Sequence, residues 1–253
     1  MEITSVWAVF IAASITAIAT GLGALPFLFV KDISKRWLGY GNSLAAGLML
    51  GASLGLMVEG ATLDNVEQPI LRLIIGMVLG LVLVVVAHKF LEQRGDDFSI
   101  GNVQGADAIS MLLIVGVMTV HSFAEGIGVG VSYGDGNSFG VLISTAIAIQ
   151  NIPEGLAISL VLIPKGTSVW RAAGWSVFSS VPQPLMAVPA FLFVLAFRPY
   201  LPVGLGLAAG AMIWMVFNEL IPDALKDISR KAVYTTMISA VIAMLALQFI
   251  LSA

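Results

Sequence analysis

The chain has 253 residues, 58% of them apolar and only 11% charged, with a net charge of −3 and no cysteine. Soluble domains carry roughly a quarter charged residues, so this deficit, together with a mean hydropathy of +0.99, excludes a soluble globular domain and marks a polytopic membrane protein. The absence of thiols excludes disulfides and thiolate metal ligands, and so small a net charge gives no footing for nucleic acid.

A helix needs roughly 20 residues to cross the hydrocarbon core. Eight stretches meet that length, at about Val6–Val30, Leu38–Val58, Ile70–Ala87, Ala108–Ser132, Phe139–Ile163, Val169–Phe197, Leu201–Ile221 and Val233–Leu251. The first exceeds a signal-peptide core of roughly 7–15 residues and follows no basic leader, so it reads as a membrane helix. The connection at about 88–107 is the longest polar piece and reads as a cytoplasmic loop. Its only histidine, His88, sits at a helix end. Between the fourth and fifth stretches, Tyr133-Gly134-Asp135-Gly136-Asn137-Ser138 is a turn signal that makes an antiparallel pair. The expected fold is therefore all-α, one transmembrane domain over 1–253 with eight spans.

Positive residues set the orientation. Lys31, Lys35, Arg36, Lys89, Arg94, Lys165, Arg171, Lys226, Arg230 and Lys231 fall in odd-numbered connections, against Arg72 and Arg198 on the other side. That asymmetry puts the odd loops in the cytoplasm and both termini outside.

Inside the fourth stretch lies His121-Ser122-Phe123-Ala124-Glu125-Gly126, and inside the fifth Gln150-Asn151-Ile152-Pro153-Glu154-Gly155. In each run a nitrogen- or oxygen-bearing side chain precedes a glutamate by four, so the pair shares one helical face. Acids at membrane depth are costly and mark ion paths or relays. No lysine or arginine lies within these spans to neutralise them. A divalent cation between two such carboxylates cancels their repulsion. One imidazole, two carboxylates and one amide oxygen suit Zn²⁺, Fe²⁺ or Mn²⁺. His121, Glu125, Gln150 and Glu154 thus compose one expected metal site, with Ser122 and Asn151 able to serve an adjacent one. The competing view of the hydroxyl and amide residues is interhelical glue, at about 0.6 kcal/mol per hydrogen bond. Pro153 lacks an amide hydrogen, which frees the Ile149 carbonyl as in broken transporter helices. Trp170, Trp175 and Tyr200 read as interfacial anchors.

With these runs and Asn218-Glu219-Leu220-Ile221-Pro222-Asp223 in the seventh stretch, the chain resembles the ZIP (Zrt/Irt-like) family of divalent-metal transporters, nearest the bacterial branch with Gln at position 150. The resemblance implies a ZIP-like bundle with the fourth and fifth helices central, and a bundle of helices one, four, five and six moving against the rest. It implies a primary site at His121, Glu125, Gln150 and Glu154, and a neighbouring one using Ser122, Asn151, Glu125, Glu154 and Gln183. Where Ser122, Ala124 and Gln183 stand, the family usually has Asn, Pro and, in this branch, often Glu. The second position therefore loses a carboxylate and an amide, and a single charged site is expected.

Glu59, near the outer end of the second helix, and Glu219, near the inner end of the seventh, are pathway candidates. The expected activity is uptake of divalent metal into the cytoplasm by alternating access, Zn²⁺ foremost, with Fe²⁺, Mn²⁺ and Cd²⁺ also admitted. Metal is then cargo rather than cofactor, and the partners are metal ions, the lipid bilayer and, compatibly, a second copy in a homodimer. The expected setting is a bacterial plasma membrane. The rival classes are an intramembrane metal-dependent hydrolase and a metal sensor without net transport. A hydrolase is disfavoured by two histidines in all and no His-Glu-x-x-His run.

Overall fold

The computed structural model describes residues 5–29, 34–63, 66–93, 99–100, 103–134 and 136–252. Lys31, Arg94 and Asp135 from the sequence analysis lie outside the described residues. Ser5 caps α1 (Val6–Leu22) by accepting from the Trp7 amide, and a short 3-10 turn, Leu25–Leu28, follows. Ser34 caps α2 (Lys35–Ala61) in the same way. Next come α3 (Pro69–Glu92), a two-residue antiparallel ladder of β1 (Ser99–Ile100) and β2 (Val103–Gln104), and α4 (Gly105–Gly134). Helix ends and this ladder thus take up most of the polar loop expected at 88–107.

Helix α5 (Asn137–Leu162) runs without a break through Pro153. The interruption lies instead in the sixth stretch, which was expected as one helix over Val169–Phe197. It divides into α6 (Val169–Ser179), α7 (Pro182–Leu192) and α8 (Val194–Phe197). Pro182 and Pro184 have no amide hydrogen for the carbonyls one turn earlier, and the chain turns at Ser180–Val181. Among the described residues, seven helical segments are therefore each long and apolar enough to cross a bilayer, and the one expected span missing from them is the broken sixth stretch.

The seventh stretch runs past its expected end at Ile221. Helix α9 (Leu201–Met215) widens into a π turn, Val216–Leu220, and continues as α10 (Ile221–Asp227). Pro222 cannot give a hydrogen bond to the preceding turn, which accounts for the wider winding there. Helix α11 (Arg230–Ser252) closes the described chain.

Bare backbone dominates the helix contacts. Gly76 and Gly80 of α3 lie against the Val203 and Leu207 carbonyls, while Gly206 and Gly210 of α9 lie against those of Leu73 and Met77. This reciprocal four-residue spacing of glycines is the arrangement that lets membrane helices touch backbone to backbone. Gly155 of α5 meets the Thr20 carbonyl of α1 with no room for a methyl group. Long apolar side chains of α3 and α11, among them Ile74, Val78, Val82, Ile238 and Ile242, point outward, as a lipid solvent permits.

Helix α4 contributes the most to the interior, with Met118, His121, Ser122, Val129 and Val131 buried on its several sides. Helix α5 turns one flank inward, with Asn151 and Glu154, and shows Val141 and Ile152 outward. Trp170 and Tyr200 are exposed, as anchors would be, whereas Trp175 is half-buried and packs against the core. Gly39 packs against Ile228 and Gly41 against Leu160, while His88 meets Glu219. The basic ends of α2, α3, α5 and α10 are thereby gathered at one end of the bundle.

The α3–α9 interlock generates a stability test. Gly206→Val drives two methyl groups toward the Leu73 carbonyl and should cost at least about 1–3 kcal/mol, the usual range for overpacking. It should lower the thermal midpoint in detergent. Gly128→Ala, where a Cβ meets nothing within 4 Å, should leave the midpoint unchanged.

Candidate metal site

His121 and Glu125 sit one turn apart on α4, and Glu154 of α5 faces them. Their side chains are 1%, 2% and 2% exposed, so water contributes almost nothing to their solvation. His121 Nε2 lies 2.8 Å from Glu154 Oε1 and 3.3 Å from Glu125 Oε1. One ligating atom from each of the three falls within 4.8 Å of the others. At that separation two carboxylate charges repel by about 3–4 kcal/mol for an effective dielectric near 20. The single imidazole cannot fully offset both.

The cluster also keeps polar atoms without partners. His121 Nδ1, Glu125 Oε1 and Glu154 Oε2 are buried and make no hydrogen bond among the described residues. Buried polar groups are nearly always satisfied, and each exception calls for a cause. Two carboxylates and an imidazole whose ligating atoms come within 4.8 Å of one another are a donor set that fits a borderline divalent ion. The fit rests on this geometry.

Gln150 stands one turn before Glu154 on α5, is half-buried, and takes no part in the hydrogen bonds of the cluster. Three of the four expected primary ligands are thus brought together, and the fourth lies beside them on the same helix. The expected neighbouring residues do meet, but as a neutral network. Gln183, in the first turn of α7, donates from Nε2 to Glu125 Oε2 and accepts at Oε1 from Asn151 Nδ2 at 3.1 Å and from the Thr16 hydroxyl. Asn151 Nδ2 also donates to the Thr16 carbonyl at 2.8 Å. Ser122 reaches the Ser180 hydroxyl at 3.5 Å, which is 2.7 Å from that of Thr20. All of these residues are buried.

Thr16, Thr20 and Ser180 escaped the sequence reading. A signal existed: two threonines four apart in an otherwise apolar run share one helical face. Ser180 carried no signal, because its role follows from the helix break.

Of the pathway candidates, Glu59 is exposed near the end of α2 and stands apart from the cluster. Glu219 lies in the π turn, half-buried, with Oε1 3.9 Å from His88 Nε2. The His88 ring packs 5.2 Å from that of Trp214. The bland reading of His88 as a mere helix end misses this meeting. Charge alternation along the chain placed both residues at the same end, which was the available hint.

Comparison with known proteins agrees with this geometry. Residues 91–246 match the family model described as ZIP Zinc transporter. The chain is 45% identical over 233 residues to a putative zinc transporter of Arabidopsis thaliana, covering 91% of this chain and 37% of that protein. It is 31% identical over 221 residues to the zinc transporter GufA of Myxococcus xanthus, covering 85% and 87%. With the zinc transporter ZIPB of Bordetella bronchiseptica it shares 32% identity over 212 residues, covering 81% and 69%. The chain therefore spans little more than a third of the plant relative and most of the two bacterial ones.

With metal chelated, His121→Ala leaves two buried carboxylates facing one another with the Gln183 amide as the remaining donor, to Glu125. Breaking a buried charge pair costs about 3–5 kcal/mol, so the thermal midpoint in detergent should fall clearly. Adding Glu125→Gln and Glu154→Gln to that variant should recover most of the loss. An unchanged midpoint for His121→Ala would contradict the coupling.

Proposed function

Because the chain belongs to the ZIP zinc transporter family, we propose that it carries divalent first-row metal, Zn²⁺ foremost, across the membrane into the cytoplasm by alternating access. The observation that carries this reading is the buried cluster of His121, Glu125 and Glu154. A dication neutralises both carboxylates and uses their unpartnered oxygens. Gln150 is the fourth ligand in this reading, joining from its half-buried position one turn away. Fe²⁺, Mn²⁺ and Cd²⁺ meet the same donor chemistry less selectively.

Two sets of helices support alternating access. Glycine-to-backbone contacts lock α3 to α9 and α1 to α5, and Gly126 and Gly130 bring α4 against the backbone of α7. Gly47 likewise seats α2 on the Met237 carbonyl of α11. Between α4 and α9 there is more room, since a Cβ added at Gly204 would lie at an ordinary 3.5 Å from Ala124 Cβ, and between α2 and α5 Gly41 meets the Leu160 side chain. Helices α1, α4, α5, α6 and α7, which hold the cluster, form the moving body in this account, and α2, α3, α9 and α11 the frame. Glu59 serves as an entry residue, and Glu219 with His88 as an exit pair.

The gathering of basic helix ends at one end of the bundle supports a cytoplasmic assignment for that end. A bacterial plasma membrane fits this charge asymmetry and the bacterial relatives. An inside-negative potential would favour entry of a doubly charged ion by about 4.6 kcal/mol per 100 mV. Transport is favoured over hydrolysis because the proteins to which the chain is similar are named as transporters.

Zinc uptake into proteoliposomes tests the assignment. Glu125→Ala and Glu154→Ala should each abolish saturable uptake, and unchanged uptake in both would remove the cluster from the mechanism. The chain has no cysteine, so Ala124→Cys with Gly204→Cys gives a clean cross-link across the two bodies. The 3.5 Å Cβ separation there lies at the close end of the disulfide range. Oxidation should stop uptake and reduction restore it, whereas transport by the cross-linked protein would contradict relative motion at this interface.

A further inference from the structure

Gln183 is fully buried and stands where four elements converge. Its backbone is held close to α4, since a Cβ at Gly126 would come within 2.6 Å of the Gln183 carbonyl oxygen. Its side chain is held at both ends: Oε1 accepts from Thr16 of α1 and Asn151 of α5, and Nε2 donates to Glu125 of α4. The Asn151 contact fixes which way the amide points: Asn151 Nδ2 also donates to the Thr16 carbonyl, so the Gln183 atom that faces it is the oxygen. The Thr16 hydroxyl, 2.7 Å from the Ala13 carbonyl as well, can accept as readily as donate.

The consequence falls on Glu125. Its Oε2 is occupied by the Gln183 N–H, while its Oε1 has no hydrogen bond and lies 3.3 Å from His121 Nε2. An N–H aimed at a carboxylate oxygen presents partial positive charge, as a cation would, without adding net charge to the site. Asn151 Oδ1 is a buried acceptor with no hydrogen bond among the described residues, while the Asn151 atom that faces Gln183 is Nδ2. Ser122 holds only the long contact to Ser180. These are oxygen donors a cation would use if a carboxylate stood at position 183.

We propose that Gln183 is a positioning residue whose side-chain amide takes the place of a second cation, restraining Glu125 to ligation through Oε1 and closing the compartment lined by Thr16, Ser122 and Asn151 to metal. This rests on the metal-transport reading above, and it adds the reason why one ion, and not two, occupies the polar interior. Gln183→Glu replaces the donor by a charged acceptor. The introduced carboxylate then repels Glu125 and, with Asn151 Oδ1 and the freed Glu125 Oε2, builds a site for a second dication.

The test counts zinc ions bound to the purified full-length protein in detergent by elemental mass spectrometry, with the X-ray absorption of bound zinc as an independent readout. The wild type should hold one ion and Gln183→Glu two, the second lost again when Asn151→Ala is added. Gln183→Met, which keeps the length and adds no charge, should still hold one ion. Its zinc spectrum should gain one oxygen neighbour as Glu125 Oε2 becomes free to ligate. Two ions in the wild type, or one ion in folded Gln183→Glu, would overturn this inference while leaving the primary site standing. An unchanged spectrum in Gln183→Met would overturn it too, by showing that the amide does not restrain Glu125. No bound zinc in the wild type would overturn the transport reading and this inference together.

Discussion

Two carboxylates and one imidazole, shut away from water between α4 and α5, are the constraint to which the rest of the architecture answers. Two carboxylate charges as close as those of Glu125 and Glu154 repel in a low-dielectric interior unless positive charge stands beside them. His121 supplies a hydrogen bond to one of them at 2.8 Å and a longer approach to the other. The remaining imbalance is what makes the site useful: a group of donors fully satisfied by protein would have no use for an ion. A transporter needs a site that is good enough to strip water from its cargo and poor enough to release it.

Around that charged centre the polar residues are neutral, and they tie helices together. The amides of Gln183 and Asn151 and the hydroxyls of Thr16, Thr20, Ser122 and Ser180 join α1, α4, α5 and the start of α7. Each such bond is worth little alone in a membrane, yet together they fix the orientation of one ligand and the register of four elements. The helix break at Ser180–Val181 has a structural role here, because it brings a hydroxyl and an amide to the level of the glutamates. Close backbone contact supplies the remaining rigidity. Where glycines face carbonyls the helix backbones meet directly, as α3 meets α9, whereas at Gly204 there is room for a methyl group against Ala124.

Much of this was legible in the sequence because the membrane leaves few choices. Length and apolarity marked the spans, although the first helix stops at Leu22, the sixth stretch divides and the seventh runs on to Asp227. The four-residue spacings in the runs at 121–125 and 150–154 put the candidate ligands on single faces. Proximity of the two faces followed from the short turn between α4 and α5. What escaped depended on partners far away in the chain. Pro153 looked like the helix breaker, yet α5 continues through it, while Pro182 and Pro184 with their neighbours divided the sixth stretch. Proline spacing alone does not tell a tolerated kink from a break, since the outcome turns on whether other helices can satisfy the freed carbonyls. Gln183 looked like a weakened ligand because its type is visible in the sequence and its three partners are not. His88 and Glu219 are far apart in the chain, and only the packing of α3 against α9 brings them to 3.9 Å.

Everything turns on where the ion sits. Crystals of the protein grown with Zn²⁺ and measured on both sides of the zinc absorption edge would locate it without reference to any assumed ligand. One strong anomalous peak is expected within coordination distance of His121 Nε2, Glu125 Oε1 and a Glu154 oxygen. A well-occupied peak elsewhere in the membrane interior, with those three side chains still hydrogen-bonded to one another, would contradict the assignment.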